Sequence, residues 1–172
     1  YAYVTNFGGN GLQVIDASVP TSPAVVGSVL TPGIARGVAV HGSYAYVADS
    51  PESIQIVDIS VPSSPAIVGY IDTPEAGTIA ISGTYAYVAG HETGVWIFDV
   101  SIPDMPTLVR RVFAADQARD LALSGPYVIV ADGDSGLLII DTGTLESPAV
   151  IGSMDTPDWA FGVAVSGSYA YI

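Results

Sequence analysis

The chain has 172 residues, of which 49% are hydrophobic and 12% charged, and this composition excludes a disordered chain. It contains no cysteine, which excludes a disulfide framework or a thiolate site, and no run of 18 apolar residues, which argues against membrane insertion of this segment. Four arginines and no lysine stand against 17 acidic residues, for a net charge of −13, so nucleic acid and anionic lipid are excluded as favourable partners.

One tyrosine-rich segment returns along the whole chain. Its clearest copy is 44–48, which reads Tyr-Ala-Tyr-Val-Ala. The first tyrosine of each copy is Tyr1, Tyr44, Tyr85, Tyr127 and Tyr169, at intervals of 43, 41, 42 and 42 residues. A repeat of about 42 residues that consists of short β segments lies in the range of β-propeller blades.

Each repeat contains four predicted strands, which are clearest in the second repeat. Strand one is 38–40, strand two is 44–48, strand three is 54–59 and strand four is 66–71. Val, Ile and Tyr favour extended chain in these segments, and turn residues such as Gly42, Pro62 and Pro65 separate them. The pattern therefore predicts one four-stranded antiparallel blade per repeat.

Strand three is apolar on both of its faces. The segments 95–98 and 137–140 read Val-Trp-Ile-Phe and Leu-Leu-Ile-Ile, with no alternation of polar residues. A sheet with one face in water would alternate, so each sheet is expected to be covered on both sides. The sequence therefore predicts an all-β fold of stacked blades, a β-propeller, rather than a two-layer sandwich.

The repeats also predict how the chain is divided. We expect a single propeller domain, or part of one, over 1–172, with repeats near 37–77, 78–119 and 120–161 and a first repeat made of 1–36 plus 162–168. Residues 169–172 begin a further repeat and duplicate residues 1–4, so two second strands would compete for one place. This favours an arc of about four blades, from a longer polypeptide and a larger ring of roughly six to eight blades. The open ends of such an arc offer a route to self-association.

The repeated motifs resemble those of a known family. Strand three reads Leu-Gln-Val-Ile-Asp at 12–16 and Ile-Gln-Ile-Val-Asp at 54–58, a Ser-x-Pro-x-x-Pro turn follows, and Thr-Pro closes the repeat at 31–32. Together these motifs resemble the LVIVD repeat of bacterial and archaeal β-propellers. The third repeat departs from the pattern, with Arg110 and Arg111 at and beside the expected glycine. The resemblance implies a propeller that is secreted or attached to the cell surface, and it implies no common activity.

Differences between the repeats predict where function is located. The turns that join strands one and two are nearly alike, whereas the loops that join strand two to strand three, and one repeat to the next, vary. Strand alternation places both variable sets at the same edge of each sheet, which we call the variable edge, and loops on a rigid scaffold commonly carry function. The candidate ligand-binding residues there are Arg36, Asp49, Glu52, His91, Glu92, Arg119, Asp120 and Trp159.

Arg36 and Arg119 occupy equivalent positions just before strand one. As a pair of guanidiniums they would hold a carboxylate or a sulfate in a bidentate manner. The alternative is that each arginine neutralises a neighbouring carboxylate, such as Asp120. Trp159, close to Phe161, would stack on a sugar or a peptide, or else pack between blades.

Two sets of aspartates have separate interpretations. Asp132 and Asp134 have the spacing of a calcium loop, and calcium is the only cofactor that the sequence suggests. They lack the third oxygen ligand and the terminal Glu of a full loop, so the alternative is a plain turn. An aspartate also closes every strand three, and this recurrence predicts a turn-capping role for Asp16, Asp58, Asp99 and Asp141.

The sequence contains no recognisable catalytic set. The histidines are His41, predicted at the opposite edge, and His91, whose neighbour Glu92 points to the other face of an extended segment. We therefore expect a non-catalytic binding or scaffold propeller that engages a protein or a glycan outside the cell. The alternatives are a calcium-assisted hydrolase or lyase, and a purely structural module that completes a ring with another chain.

Overall fold

The computed structural model describes residues 1–9, 11–51, 53–73, 76–114 and 116–172. Within these residues there are 17 β-strands, and there is no helix long and apolar enough to cross a membrane. The chain divides into two compact units. The first unit is Tyr1–Ala76 with Ile102–Met105, and the second unit is Gly77–Ser101 with Pro106–Ile172.

The first unit contains two antiparallel sheets. One sheet has three strands in the order β1 (Ala2–Asn6), β2 (Gly11–Asp16) and β3 (Ala24–Val29). The other has four strands in the order β4 (Ile34–His41), β5 (Tyr44–Ser50), β6 (Ser53–Asp58) and β7 (Ala66–Asp72). In terms of the repeat, β4 to β7 are strands one to four, and β1 to β3 are strands two to four.

The second unit contains three antiparallel sheets. The first has four strands, β8 (Ile79–Ser82), β9 (Tyr85–Ala89), β10 (Val95–Asp99) and β11 (Thr107–Val112). The second also has four, β12 (Ala118–Ser124), β13 (Tyr127–Asp132), β14 (Leu137–Asp141) and β15 (Ala149–Met154). The third is the two-stranded pair of β16 (Ala164–Ser166) and β17 (Tyr169–Tyr171), which are strands one and two of a repeat.

Strands two and three of the four-stranded sheets are largely buried on both faces. Residues 45–49 of β5 and 54–57 of β6 are all buried, although successive side chains of a strand point in opposite directions. The four-stranded sheets are therefore covered on both sides. This confirms the predicted all-β fold of four-stranded antiparallel blades.

Apolar side chains of consecutive sheets pack against one another. In the first unit, Tyr3 and Leu12 of the first sheet contact a cluster that contains Ala45, Val47 and Val57 of the second sheet. In the second unit, an equivalent cluster joins β10 to β13 and β14. Each fully buried large apolar side chain contributes about 1.5–3 kcal/mol, so this repeated packing is the main favourable term in folding.

Strand one turns into strand two through a glycine in the left-handed conformation. The φ angle is 58° at Gly42, 57° at Gly83 and 56° at Gly125. An added Cβ would meet no atom within 4 Å at these positions, so backbone conformation rather than space selects glycine. The tight turn fixes the register of strands one and two in each blade.

Strand four carries a glycine where the turn of the next repeat approaches. An added Cβ at Gly27 would overlap the carbonyl oxygen of Pro62. Arg110 takes this position in the third repeat, and its Nη2 donates a hydrogen bond of 2.7 Å to the carbonyl oxygen of Glu146 in the following turn. In the third repeat, the hydrogen bond from the Arg110 side chain thus takes the place of the close approach of the turn to a glycine.

Candidate functional site

The loops of the variable edge lie together in each unit. In the first unit, Ile34 pairs with Ser50 and Ser53 pairs with Asp72, so the β5–β6 loop lies beside the start of β4 and the end of β7. In the second unit, bridges join His91 to Ala118 and Gly133 to Ala160. These bridges tie the loop after strand two to the segment that enters the following sheet.

Arg36 and Arg119 both stand at a β-bulge. The register of β4 with β5 shifts between Ala35 and Gly37, and that of β12 with β13 shifts between Ala118 and Asp120. A bulged residue has no direct partner on the neighbouring strand, and the bulge re-aims its side chain. The same irregularity therefore presents an arginine at the variable edge of each unit.

The guanidinium of Arg36 lies over an aromatic ring. Its Cζ is 5.5 Å from the centroid of the Phe7 ring, and both residues are exposed. The backbone carbonyl of Arg36 accepts a hydrogen bond of 3.2 Å from the hydroxyl of Thr5, which links β4 to β1. Arg36 is thus held by a hydrogen bond to its backbone carbonyl and by the contact of its guanidinium with one aromatic ring.

Arg119 lies against the aromatic rings of Trp159 and Phe161. We call Arg119, these two rings and Gln117 the Arg119 cluster. The Cζ of Arg119 is 4.7 Å from the Trp159 ring centroid and 5.0 Å from that of Phe161. Its Nη2 donates a hydrogen bond of 2.7 Å to Oε1 of Gln117. Its Nε is buried and has no hydrogen-bond partner among the described residues. The cluster therefore combines a partly satisfied cation with apolar surface, since Trp159 is 38% and Phe161 64% exposed.

Asp120, next to this cluster, accepts hydrogen bonds from the backbone. Its Oδ1 accepts from the N–H of Leu121 and its Oδ2 from the N–H of Val163, each at 2.9 Å. The predicted alternative was an ion pair of Arg119 with Asp120. Within the part of the chain that the structure describes, Arg119 contacts Gln117 and the rings instead, and Asp120 fixes the segment that leads into β16.

Asp49 and Asp132 occupy equivalent places at the end of strand two, and both are buried. Oδ2 of Asp49 accepts a hydrogen bond of 2.8 Å from the N–H of Gly33. Oδ2 of Asp132 accepts one of 3.0 Å from the N–H of Asp116. Gly33 and Asp116 belong to the turns that lead into strand one, so each carboxylate braces an inter-repeat turn.

The predicted calcium loop takes part in this bracing. The N–H of Asp134 donates a hydrogen bond of 2.8 Å to Oδ2 of Asp116, while Asp132 holds the N–H of Asp116. These bonds join the loop to a turn 16 and 18 residues earlier in the chain, and the calcium interpretation stays a prediction. Among the residues with described positions, no group of three or more His, Cys, Asp or Glu side chains is arranged to hold a metal ion.

His91 contributes its backbone to the variable edge. Its φ of 47° lies in the left-handed region, where Gly133 of the next repeat also lies, at 53°. The N–H of His91 donates to the carbonyl of Ala118 at 2.9 Å, and the N–H of Ala118 donates back at 3.1 Å. Glu92 beside it is exposed, and Glu52 lies outside the described residues.

The aspartates that close strand three cap turns, which confirms the prediction. Oδ1 of each accepts the N–H two residues later at 2.8–2.9 Å, in Asp16, Asp58, Asp99 and Asp141. Hydrogen bonding to the carboxylate favours its ionised form. The backbone N–H of Ser60, followed by its side chain, lowers the pKa of Asp58 below the ordinary value of 3.8, and the same cause lowers the pKa of Asp16 and Asp99.

Arg111 forms a second cation–π cluster that sequence reasoning missed. Its Cζ is 4.2 Å from the Phe113 ring and 4.9 Å from the Trp96 ring, and its Nε donates to the carbonyl of Thr93. Trp96 and Arg111 are direct partners across β10 and β11. The sequence predicts this pairing only if one allows for the β-bulge between Ile97 and Phe98, which shifts the register of the two strands.

Comparison with solved structures supports the fold. The computationally designed Ika8 protein is similar over 98% of this chain and 50% of its own, with a TM-score of 0.78 and 9% identity. The computationally designed Ika4 protein is similar over 81% of this chain and 84% of its own, with a TM-score of 0.68 and 9% identity. This chain spans half the length of Ika8, and likeness at such identity concerns the fold alone. No curated protein matches the sequence.

The family is identified by the repeats themselves. The family model described as the LVIVD repeat matches residues 1–31, 32–73, 75–113, 115–156 and 159–172. These five consecutive matches cover nearly the whole chain, and each contains the tyrosine that opens strand two. The chain therefore belongs to the LVIVD repeat family.

Proposed function

We propose that this protein is a non-catalytic binding module whose variable edge engages a protein or a glycan that carries an isolated anionic group. The observation that carries the proposal is the Arg119 cluster. Its guanidinium is held between Gln117 and two exposed rings, and its buried Nε has no partner among the described residues. An unsatisfied buried donor costs about 1–3 kcal/mol, which an acceptor on a ligand would recover.

The chemistry of the cluster favours a carboxylate or a sulfate on a ring-shaped or extended ligand. A guanidinium presents planar, fixed donors that match such oxygens, and Trp159 and Phe161 offer faces on which a sugar or peptide group stacks. The net charge of −13 opposes a polyanion. A ligand with one anionic group among neutral ones is therefore the best match.

Binding without catalysis is supported by the roles of the carboxylates. Asp49, Asp120 and Asp132 each accept hydrogen bonds from backbone N–H groups, which is a turn-bracing role rather than that of an acid or a base. We extend the proposal to a secreted or surface-attached location, which is what the resemblance to LVIVD repeats of propellers implies. We propose no metal requirement.

The proposal is tested by binding of the intact chain to arrays of sulfated, carboxylated and neutral glycans and of peptides. The variants are Arg119→Ala, Arg119→Lys and, as a control of equal charge change, Arg110→Ala, whose guanidinium contacts a turn in the second unit. Binding to the anionic ligands should weaken by about 1.5–3 kcal/mol, or at least about tenfold in Kd, in both Arg119 variants. Arg110→Ala should bind normally.

Three outcomes would reject the proposal. Equal affinities of the wild type and Arg119→Ala would show that the Arg119 cluster does not contact the ligand. Turnover of a bound ligand by the wild-type chain would show catalysis. Binding that requires calcium and disappears in chelator would show that Asp132 and Asp134 act as metal ligands and not as a turn.

A further inference from the structure

β11 is the outermost strand of its sheet in the second unit, and its outer side is an open edge. It pairs with β10 and, among the described residues, with no other strand. The chain continues on both sides of β11, so this edge belongs to the four-stranded blade itself. Thr107, Leu108 and Arg110 are exposed, which leaves the strand accessible. An open edge presents backbone N–H and C=O groups with which an extended segment pairs.

The end of β11 carries a group of side chains that the other repeats do not contain. We call Thr93, Trp96, Arg111 and Phe113 the Arg111 cluster. Counted from the aspartate that closes strand three, the positions equivalent to Trp96 hold Gln13, Gln55 and Leu138. Those equivalent to Arg111 hold Ser28, Tyr70 and Ser153. The four-stranded blade therefore forms without such a cluster.

The loop between β9 and β10 holds the cluster in place. The indole N–H of Trp96 donates a hydrogen bond of 2.8 Å to the hydroxyl of Thr93, which donates one of 2.5 Å to the carbonyl of Gly90. The Nε–H of Arg111 donates to the carbonyl of the same threonine. The guanidinium is thus anchored at Nε, and its two Nη atoms are the donors that remain.

The two Nη atoms of Arg111 form a free donor pair. Neither has a hydrogen-bond partner among the described residues, and both reach solvent. The chain has 17 acidic residues, yet none of those with described positions pairs with this guanidinium. Its Cζ lies 4.2 Å from the Phe113 ring and 4.9 Å from the Trp96 ring. A guanidinium held in this way presents a planar fork that matches a carboxylate.

Strand pairing places this fork beside the position of an added strand. Trp96 lies directly opposite Arg111 on β10, and the open edge lies on the other side of Arg111. A residue of an added strand would lie opposite Arg111 there, because opposed residues have Cβ atoms about 4.5–5.5 Å apart. Opposite charges at such positions stabilise the pairing and like charges destabilise it. The fork therefore selects an acidic residue and disfavours a basic one.

We propose that β11 is a docking edge for an extended protein segment, in which one aspartate or glutamate flanked by neutral residues binds the Arg111 cluster. The segment adds a fifth strand to the sheet of β8 to β11, and its carboxylate accepts hydrogen bonds from both Nη atoms of Arg111. The flanking residues are neutral because the net charge of −13 repels a segment with several carboxylates. This site is separate from the Arg119 cluster and does not depend on it.

NMR titration of the intact chain with capped peptides tests the proposal. The peptides alternate threonine and valine around a central glutamate, glutamine or lysine. The glutamate peptide should bind at least about tenfold more tightly than the glutamine peptide, because its contact with the guanidinium is charge-assisted. The lysine peptide should bind most weakly. The backbone amide signals that shift should be those of β11 and of the residues beside it.

Variants at two adjacent arginines make the assignment specific. Arg111→Gln removes the fork, so the preference for glutamate over glutamine should disappear. The matched control is Arg110→Gln, which changes the charge equally on the same strand but points to the other face and contacts the carbonyl of Glu146. It should keep the preference. Arg111→Lys keeps the charge without the planar fork, should also lower the preference, and replaces Arg111→Gln if that variant does not fold.

Four results would overturn the proposal. The first is a glutamate peptide that shows no saturable binding at millimolar concentration, or that binds no better than the glutamine peptide. The second is a preference for glutamate that survives both Arg111 variants. The third is a set of signal shifts that lies outside β8 to β11. The fourth is a glucuronate oligosaccharide that displaces the glutamate peptide and binds more tightly, which would assign the site to an acidic sugar.

Discussion

Aspartate side chains in this protein act largely on the backbone. Asp58 accepts the N–H of Ser60, Asp49 that of Gly33, and Asp120 that of Val163. Hydrogen bonds to an ionised acceptor are roughly twice as strong as those between neutral groups. The acidic composition therefore contributes to turn geometry as well as to the charge of the surface.

The strand-three caps predict a specific dependence of stability on pH. The pKa of Asp58 is lowered in the folded protein, so its contribution to stability is present above the unfolded value, near 3.8, and is lost as the pH falls through the lower folded value. Asp58→Asn keeps an oxygen acceptor without the charge. The wild type should have the higher Tm near neutral pH, and this advantage should disappear in acid below the folded pKa.

A matched control for this prediction is Glu92→Gln, which changes the charge equally on an exposed loop. For Glu92→Gln, the difference in Tm from the wild type should not change between neutral pH and acid in the way that it does for Asp58→Asn. Thermal unfolding followed by circular dichroism measures all three proteins. A constant Tm difference between wild type and Asp58→Asn at every pH would contradict the capping argument.

Individual residues differ in how far the sequence revealed their roles. Asp58 and its equivalents recur in every repeat, and recurrence indicates a local cap, which is what the structure contains. Asp49 has an equivalent aspartate in Asp132 but not in every repeat, and its carboxylate braces a turn 16 residues earlier in the chain. A contact at that separation depends on the path of the preceding repeat, which local pattern does not describe.

Equivalent strands of different repeats have different neighbours. β3 and β15 have equivalent glycines, Gly27 and Gly152, at the same distance from the aspartate that closes strand three. At Gly27 the turn containing Pro62 occupies the space of a Cβ, whereas at Gly152 the nearest atom would be Cδ1 of Ile139 at 3.7 Å. Identical motif positions therefore meet different surroundings.

This difference predicts opposite results for two equivalent substitutions. Gly27→Ala should destabilise the protein by about 1–3 kcal/mol, because the turn must move. Gly152→Ala should leave the free energy of unfolding unchanged or raise it by about 0.5–1 kcal/mol, because alanine is better than glycine in a strand and meets no clash. Urea unfolding at constant m-value measures both. Equal destabilisation by the two substitutions would show that the turn does not pack on β3.

Strand positions were predictable because Tyr, Val and Ile recur with the repeat, and the apolar character of both faces indicated double coverage. Bulges were not predictable in the same way. The register shifts between Ala35 and Gly37 and between Ala118 and Asp120 decide that Arg36 and Arg119 have no partner on strand two. The equivalence of the two arginines was visible in the sequence, but their aromatic neighbours come from other repeats or turns.

At the scale of the whole molecule, the charge distribution restricts which ligands suit the proposed binding site. The protein has four cations against 17 carboxylates, so an approaching anion is repelled within about one Debye length of the surface, roughly 8 Å at physiological salt, and the repulsion is screened at larger distances. At contact distance the donors of one guanidinium decide the interaction. For the proposed site, this favours a sparsely charged ligand at Arg119 and an affinity that depends on geometry more than on long-range attraction.

The most direct measurement of this claim is an NMR titration of the arginine side-chain Nε–H signals with sodium acetate and sodium sulfate. The intact chain contains four arginines and no lysine, so the spectrum is simple to assign. We predict that the Nε–H signal of Arg119 shifts with saturation, while that of Arg110 shows only the small linear change caused by ionic strength. An Arg119 signal that does not move, or four signals that move in parallel, would contradict the assignment of the Arg119 cluster as the anion contact.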